Sequence, residues 1–600
     1  MKLGVTQKLE EGLLVGAFLA AIVLPLIDAV GRPLGGFHVP GAAVYLQQLT
    51  LWLAFVGGLY AVRQRAHLTL STAELLGAHG RGWATARGAA QAVAAVVCAA
   101  LAYGAAGLVM ASRDQGDLLT VGIPVWVSEL VMPVALGLMA ARFALAASTR
   151  WQGRAAAFSL VAAAFALAFL PRPTSWVTWV LVAVVLAAVL VGAPVFVAMA
   201  GVALLFFFRD GTPVAAVTVE IYRLVASPTL PAIPLLTACG YVLAESRAAH
   251  RLVRFFRALF GWMPGGIAVL VAGVCALFTT FTGGSGITII ALGGLVYPIL
   301  REEGYGEGFS LGLVTASGSL GLLFPPSLPV ILYSVVAEVP ADRLFLAGLL
   351  PGALLVVLAG GYGMLIGRRT QSTRRAFSWR ELAAATWEAK WELSVPVLVI
   401  GLFVTGLASL VEVSAIAAAY AIVVQCFITR DLHPVRDLPG VLLKGAALVG
   451  GVLILLSSAM GLTAYLVDQQ IPDTLLAAVQ EHVHSPIVFL LVLNVLLLVL
   501  GSVLEVYSAI VILTPLVVPL GAAFGIDPVH LGVVFLANLE LGFLFPPVGL
   551  NLFLSSSRFG VPMVKLYRYV LPFLLILGAG VLLITYVPAM SLGVLRLLGR

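Results

Sequence analysis

Four short polar strings stand inside otherwise apolar runs of this sequence. They read Thr282-Gly283-Gly284-Ser285-Gly286-Ile287-Thr288, Ser317-Gly318-Ser319-Leu320-Gly321, Gly501-Ser502-Val503-Leu504-Glu505-Val506-Tyr507-Ser508 and Asn538-Leu539-Glu540-Leu541-Gly542. Glycine lets a helix break and lets backbone approach a small ligand. The carbonyls and hydroxyls left without helical partners are hard oxygen donors of the kind Na⁺ takes. The candidate cation ligands are therefore Gly283, Gly284, Ser285, Ser317, Gly318, Gly321, Ser502, Glu505, Ser508, Asn538, Glu540 and Gly542. A helix kink that permits close packing would use the same small residues. The repetition of the pattern favours a site. Glu505 and Glu540 are costly within lipid unless they face a cavity or gain a partner. Two roles stand open for them: tuning cation or proton binding, or, for Glu505, sitting at a hairpin mouth near water.

The strings are paired by a repeat. Phe324-Pro325-Pro326-Ser327 recurs as Phe545-Pro546-Pro547-Val548, 221 positions later, and the register holds across the flanks. Pro298 maps to Pro519, Gly304 to Gly525, Ala316 to Ala537 and Gly321 to Gly542. Symmetry fails where Glu505 replaces Gly284 and Glu540 replaces Ser319. A double proline cannot lie in an unbroken helix, and freed carbonyls are tolerated at membrane depth only where protein or a polar cavity satisfies them. Interrupted hydrophobic segments at matching places in two halves point to a secondary transporter's binding site. Thr282, Ser285, Thr288, Pro326, Ser327, Pro547 and Asn551 are the candidate substrate contacts. For Asn551 a helix–helix hydrogen bond is the competing use.

The elements that position these residues must be membrane helices. The chain has 600 residues, 61% hydrophobic and 10% charged, against roughly 25% charged in soluble domains. The +7 net charge lies mainly in short loops and reads as an orientation signal, with no nucleic-acid patch. Cys98, Cys239, Cys275 and Cys426 are scattered in apolar context and imply neither disulfide nor metal. The run from Leu13 lacks a small-residue cleavage site and reads as a retained first helix. Composition and spacing predict an all-α polytopic membrane protein with about fifteen spanning helices and two re-entrant hairpins.

Residues 1–154 carry four spans, near 12–30, 42–62, 89–112 and 124–148. Arg63, Arg65, Arg81 and Arg87 follow the second and Arg142, Arg150 and Arg154 the fourth, placing both ends of this block in the cytoplasm. A connecting helix and linker follow at 155–174, ending at Pro171-Arg172-Pro173. Repeat 1 occupies 175–367, a cytoplasmic linker 368–394 and repeat 2 395–600. The amphipathic stretch of repeat 1 is basic (Arg247, Arg251, Arg254, Arg257) and that of repeat 2 acidic (Asp468, Asp473, Glu481). Five crossings per half also invert the second copy. Charge and parity agree on an inverted repeat, with a cytoplasmic N-terminus and a periplasmic C-terminus.

On Pro231-Ala232-Ile233-Pro234-Leu235, the tip Gly283–Thr288, Leu323-Phe324-Pro325-Pro326-Ser327, Leu513–Pro519, Gly525–His530 and Phe545–Phe553, the chain resembles a fused membrane component of the tripartite ATP-independent periplasmic (TRAP) transporters. Arg63-x-x-x-His67 adds a weaker match to the small four-helix subunit. The first tip, Gly-Gly-Ser-Gly, is poorer in serine than the family's. The resemblance implies Na⁺ symport of a small carboxylate, a separate periplasmic binding protein, an elevator motion and an inner-membrane location. It implies no further cofactor and no enzymatic activity. The alternatives are a stand-alone Na⁺/dicarboxylate symporter and, in another class, an intramembrane hydrolase built on Gly283-Gly284-Ser285-Gly286. The second lacks a general base, since all eight histidines fall in loops or at span ends. A passive channel would need a continuous pore, and no phosphate-binding G-x-x-x-x-G-K-[ST] string occurs.

Overall fold

A computed structural model describes residues 3–31, 39–64, 81–120, 122–167, 174–368 and 376–599. Arg65, His67, the Pro171-Arg172-Pro173 stop and residues 369–375 of the expected linker lie outside the described residues. Helices account for the regular structure, with one isolated β-bridge between Leu118 and Pro124. Ten described helices are long and apolar enough to cross a membrane, and five shorter apolar helices accompany them.

Clustering of contacts divides the chain into two units. The first holds Met1–Pro234 and Leu442–Leu475. Its helices are α1 (Leu3–Gly31), α2 (Ala42–Gln64), α3 (Arg81–Gln115), α4 (Val125–Glu129), α5 (Val131–Ala146), α6 (Trp151–Leu167), α7 (Ser175–Val191), α8 (Val195–Asp210) and α9 (Ala215–Val225). The four predicted spans thus correspond to α1, α2, α3 and the α4–α5 pair. Helix α3 is the hub, packing on α5, α6, α7, α8 and α9. Arg142 joins three helices of the block, bonding Glu10 at 2.7 Å and the Leu59 carbonyl at 2.5 Å.

The second unit holds Leu235–Val441 and Leu476–Arg600. It begins within α10 (Ala232–Glu245) and continues with α11 (Ala248–Phe260), α12 (Gly266–Thr282), α13 (Ser285–Ala291), α14 (Gly293–Glu302), α15 (Glu307–Ser317), α16 (Leu328–Ala337) and α17 (Ala341–Gly367). Then come α18 (Trp379–Thr405) and α19 (Leu410–Val423), the latter running into a π-helical turn at Val424–Ile428. Helices α20 (Leu438–Asp468) and α21 (Ile471–His482) straddle the unit boundaries. The chain closes with α22 (Pro486–Val503), α23 (Val506–Ala523), α24 (Pro528–Gly542), α25 (Leu550–Phe559), α26 (Met563–Tyr586) and α27 (Ala589–Leu597).

The helix breaks fall where glycine and proline require them. Helix α12 ends on Gly283 in the left-handed region at φ 66°, and α13 restarts at Ser285. Helix α22 gives way to α23 across Leu504 and Glu505. The two Pro-Pro segments separate α15 from α16 and α24 from α25, and both Pro–Pro bonds are cis. The contacts of these pieces are exchanged between repeats. Helix α13 packs on α25 and α23 on α16, and these two pairs interconvert under the 221-residue shift. Reciprocal contacts of this kind are the mark of a two-fold relation.

Two differences from the sequence expectation have physical causes. The residues expected as a linker up to 394 are helical from Trp379, because Ser378 caps the Glu381 N–H at 3.3 Å and no glycine or proline follows before Pro396. In the first repeat α9 and α10 are separated at Pro228 and Pro231, whereas the equivalent positions Val449 and Val452 leave α20 unbroken.

Candidate functional site

Two threonines just before the first tip organise the first site. Thr279 Oγ1 lies 2.8 Å from both the Cys275 and Gly318 carbonyls and 2.7 Å from Thr288 Oγ1. With one proton to donate, it can serve only one carbonyl at a time and accept from Thr288. Thr280 Oγ1 bonds the Ala276 carbonyl at 2.9 Å and the Gly321 carbonyl at 3.1 Å. The tip and the break before the first Pro-Pro therefore face each other, with Gly318 and Gly321 offering carbonyls inward. Thr282 Oγ1 turns back to the Gly284 carbonyl at 3.3 Å. A Cβ added at Gly284 would meet nothing within 4 Å, so that residue faces open space.

The second site repeats the plan with different side chains. A Cβ placed on Gly542 would stand 2.9 Å from Gly501 Cα, so only glycine allows this approach. The Ser502 carbonyl accepts the Gly549 N–H at 2.8 Å, tying tip to break. The half-buried Glu505 caps α23 by accepting the Tyr507 N–H at 3.1 Å. Ser502 Oγ bonds the Val499 carbonyl at 2.7 Å, within its own helix. Asn538 directs its amide nitrogen to Asn494 Oδ1 at 2.5 Å and the Val534 carbonyl at 2.8 Å. For Ser502 and Asn538 the polar side chain thus already has helix partners.

The two sites meet. Tyr507 Oη donates to the Gly283 carbonyl at 2.8 Å, joining second tip to first. Asn551 Nδ2 reaches Ser319 Oγ and the Thr315 carbonyl, each at 3.2 Å, while Ser319 Oγ lies 3.5 Å from the carbonyl of its repeat mate Glu540. Several buried polar atoms here have no hydrogen-bond partner: Ser285 Oγ, Ser317 Oγ, Ser327 Oγ, Ser508 Oγ, Asn551 Oδ1 and both Glu540 carboxylate oxygens. The Leu323 amide is a neighbour of that carboxylate, and a cavity of about 10 Å³ lined by Ser319, Ala537 and Leu577 adjoins it. Buried polar groups are nearly always satisfied, and these seven side-chain oxygens at the tips and breaks are exceptions. The double prolines differ: Pro326 is buried, whereas Pro547 is exposed, with its carbonyl bonded by Tyr567 Oη at 2.5 Å.

Sequence reasoning missed Thr279, Thr280, Thr315 and Tyr507. Thr279-Thr280 carried a signal, as adjacent hydroxyls in an apolar helix one turn before a glycine break. Thr315 carried none, and Tyr507 stood in the second tip string without being singled out, since their partners come from the other repeat.

Residues 180–590 match the family described as Tripartite ATP-independent periplasmic transporter, DctM component. That match covers more than half of the chain. The chain belongs to this family. Residues 21–153 match the accompanying DctQ component, so the chain is a fused TRAP membrane component. Its relatives include the Isethionate TRAP transporter permease protein DctMQ of Oleidesulfovibrio alaskensis, 32% identical over 78% of this chain and 75% of that protein. The C4-dicarboxylate TRAP transporter large permease protein DctM of Pseudomonas aeruginosa is 34% identical over 66% of this chain and 92% of its own length. The Ectoine TRAP transporter large permease protein TeaC of Halomonas elongata is 27% identical over 69% and 98%. Among solved structures, the Alcanivorax borkumensis YdaH transporter matches with a TM-score of 0.45 and 16% identity, over 59% of this chain and 84% of that one. Membership in a family of permeases, with helices long enough to cross the bilayer many times, makes the chain a multi-pass transporter component and not an enzyme.

Proposed function

We propose that the chain imports a small organic acid by Na⁺ symport across the bacterial inner membrane, from a separate soluble binding protein in the periplasm. The carrying observation is the meeting of the two tips, with unpartnered serine hydroxyls, the Asn551 amide oxygen and the Glu540 carboxylate in the same strings. The donors named there include no cationic side chain. An anion would be held by neutral donors and by the charge of bound Na⁺, which ties solute to cation. The relatives named for isethionate and C4-dicarboxylate handle anions, which supports an anionic cargo. Sodium would pair each tip with its facing break, largely through the Gly283, Gly284, Gly318, Gly321 and Gly542 backbone and through Ser285, Ser317, Ser508, Glu505 and Glu540. Solute would lie against Thr282, Thr288, Ser327, Pro326, Pro547 and Asn551. Repeats at 175–367 and 395–600 would insert oppositely, giving a cytoplasmic N-terminus, a periplasmic C-terminus and an elevator displacement of the hairpins.

Uptake into proteoliposomes is the test. Import of a cognate solute is expected only with an inward Na⁺ gradient and the cognate periplasmic binding protein. Equal uptake without either would refute the reading.

A further inference from the structure

Among the described residues, Tyr507 carries a hydrogen bond from the second tip directly to the first: its hydroxyl donates to the Gly283 carbonyl at 2.8 Å. The residue is buried at 3% exposure, and its own N–H is held by Glu505. Gly283 is fixed as well. It sits at φ 66°, and a Cβ there would stand 2.9 Å from Leu328 Cβ. Both ends of the bond are thus pinned by their own repeats. Ser285, Ser327 and Ser508, each beside one of the residues in this contact, keep buried hydroxyls without partners.

A phenol hydroxyl has one proton. Here that proton occupies a lone pair of a tip carbonyl, the kind of oxygen a sodium ion requires. We propose that Tyr507 couples cation and solute by sharing this proton: without solute it is spent on Gly283, and an arriving anion takes it, freeing the carbonyl for Na⁺. Each ligand then raises the affinity of the other by the same factor, as linkage demands. No bond to hydrogen breaks; the O–H rotates from one acceptor to another. Tyr507 is a positioning residue in this scheme, and the inference rests on the Na⁺ symport reading above.

The experiment measures Na⁺ half-saturation on the purified full chain, by Na⁺-dependent thermal stabilisation against a K⁺ background. It is run without solute and with saturating succinate or isethionate. Tyr507→Phe removes the proton and keeps the ring. Its solute-free Na⁺ half-saturation is expected to fall by about two- to tenfold, the worth of one released hydrogen bond, and the solute effect is expected to shrink. Tyr507→His, which keeps a ring donor, should stay closer to wild type and tests the idea even if the phenylalanine variant folds poorly. Unchanged or weaker Na⁺ binding in a folded Tyr507→Phe protein, or a histidine variant displaced equally far, overturns the proposal while leaving symport intact. A wild-type chain with no saturable Na⁺ response overturns the symport reading itself.

Discussion

Gly321 touches the backbone of α12 so closely that an added Cβ would lie 2.0 Å from the Ala276 carbonyl and 2.7 Å from the Thr280 nitrogen. No rotamer relieves such a contact, since both atoms are main chain. Gly321→Ala is expected to destabilise the second unit by about 1–3 kcal/mol, the usual cost of overpacking, and to abolish Na⁺-dependent stabilisation. Thermal melts with and without Na⁺ check both. Gly321 was legible in sequence because its repeat mate is also glycine, at 542. Asn538 was legible as a polar residue in an apolar helix, but its direction was not. Sequence spacing does not say whether an amide turns toward a tip or, as here, toward Asn494 on the neighbouring α22.

Helices α11 and α18 are joined by charge. Arg251 binds Glu392 at 2.9 and 2.6 Å, Gln425 of the π-helical turn at 3.0 Å and Asp431 at 2.8 Å. Glu392 is fully buried, and its second oxygen has no partner. Arg254 bonds Glu381 at 3.0 Å and also Glu388, all three exposed. Glu392→Ala removes two charge-assisted hydrogen bonds from Arg251 and leaves it Asp431 and Gln425, so it is expected to cost about 1.5–3 kcal/mol. The exposed Glu381→Ala should cost less than about 1 kcal/mol. Comparing the two melting shifts in detergent tests the contrast, and equal shifts would contradict it. At this scale the sequence showed the basic face of α11 and each glycine and proline break, since both are local properties. It did not show that the residues before 395 form a helix carrying the answering carboxylates. Partners 127 to 141 positions apart leave no local pattern.

Across the whole molecule, the residues matching the small component are bound to permease helices by packing as well as by the chain. In the first unit α3 lies on α7, α8 and α9, and Gln48 Nε2 bonds Tyr222 Oη at 3.3 Å. Cutting the chain between Leu167 and Ser175 and co-expressing the pieces should therefore yield a complex that co-purifies through a tag on either one. Separate elution would show that the covalent link is required. The repeat was legible because its glycines and prolines are fixed by backbone geometry. The grouping of 442–475 with the first unit was not, since it depends on contacts such as Gly57 and Gly58 against Gly450, which three scattered glycines do not announce. That grouping has a topological consequence. The polypeptide passes from one unit to the other at three points only, after Pro234, Val441 and Leu475, and each lies within a helix. Neither unit is a continuous stretch of chain, and every cut that separates them breaks a helix.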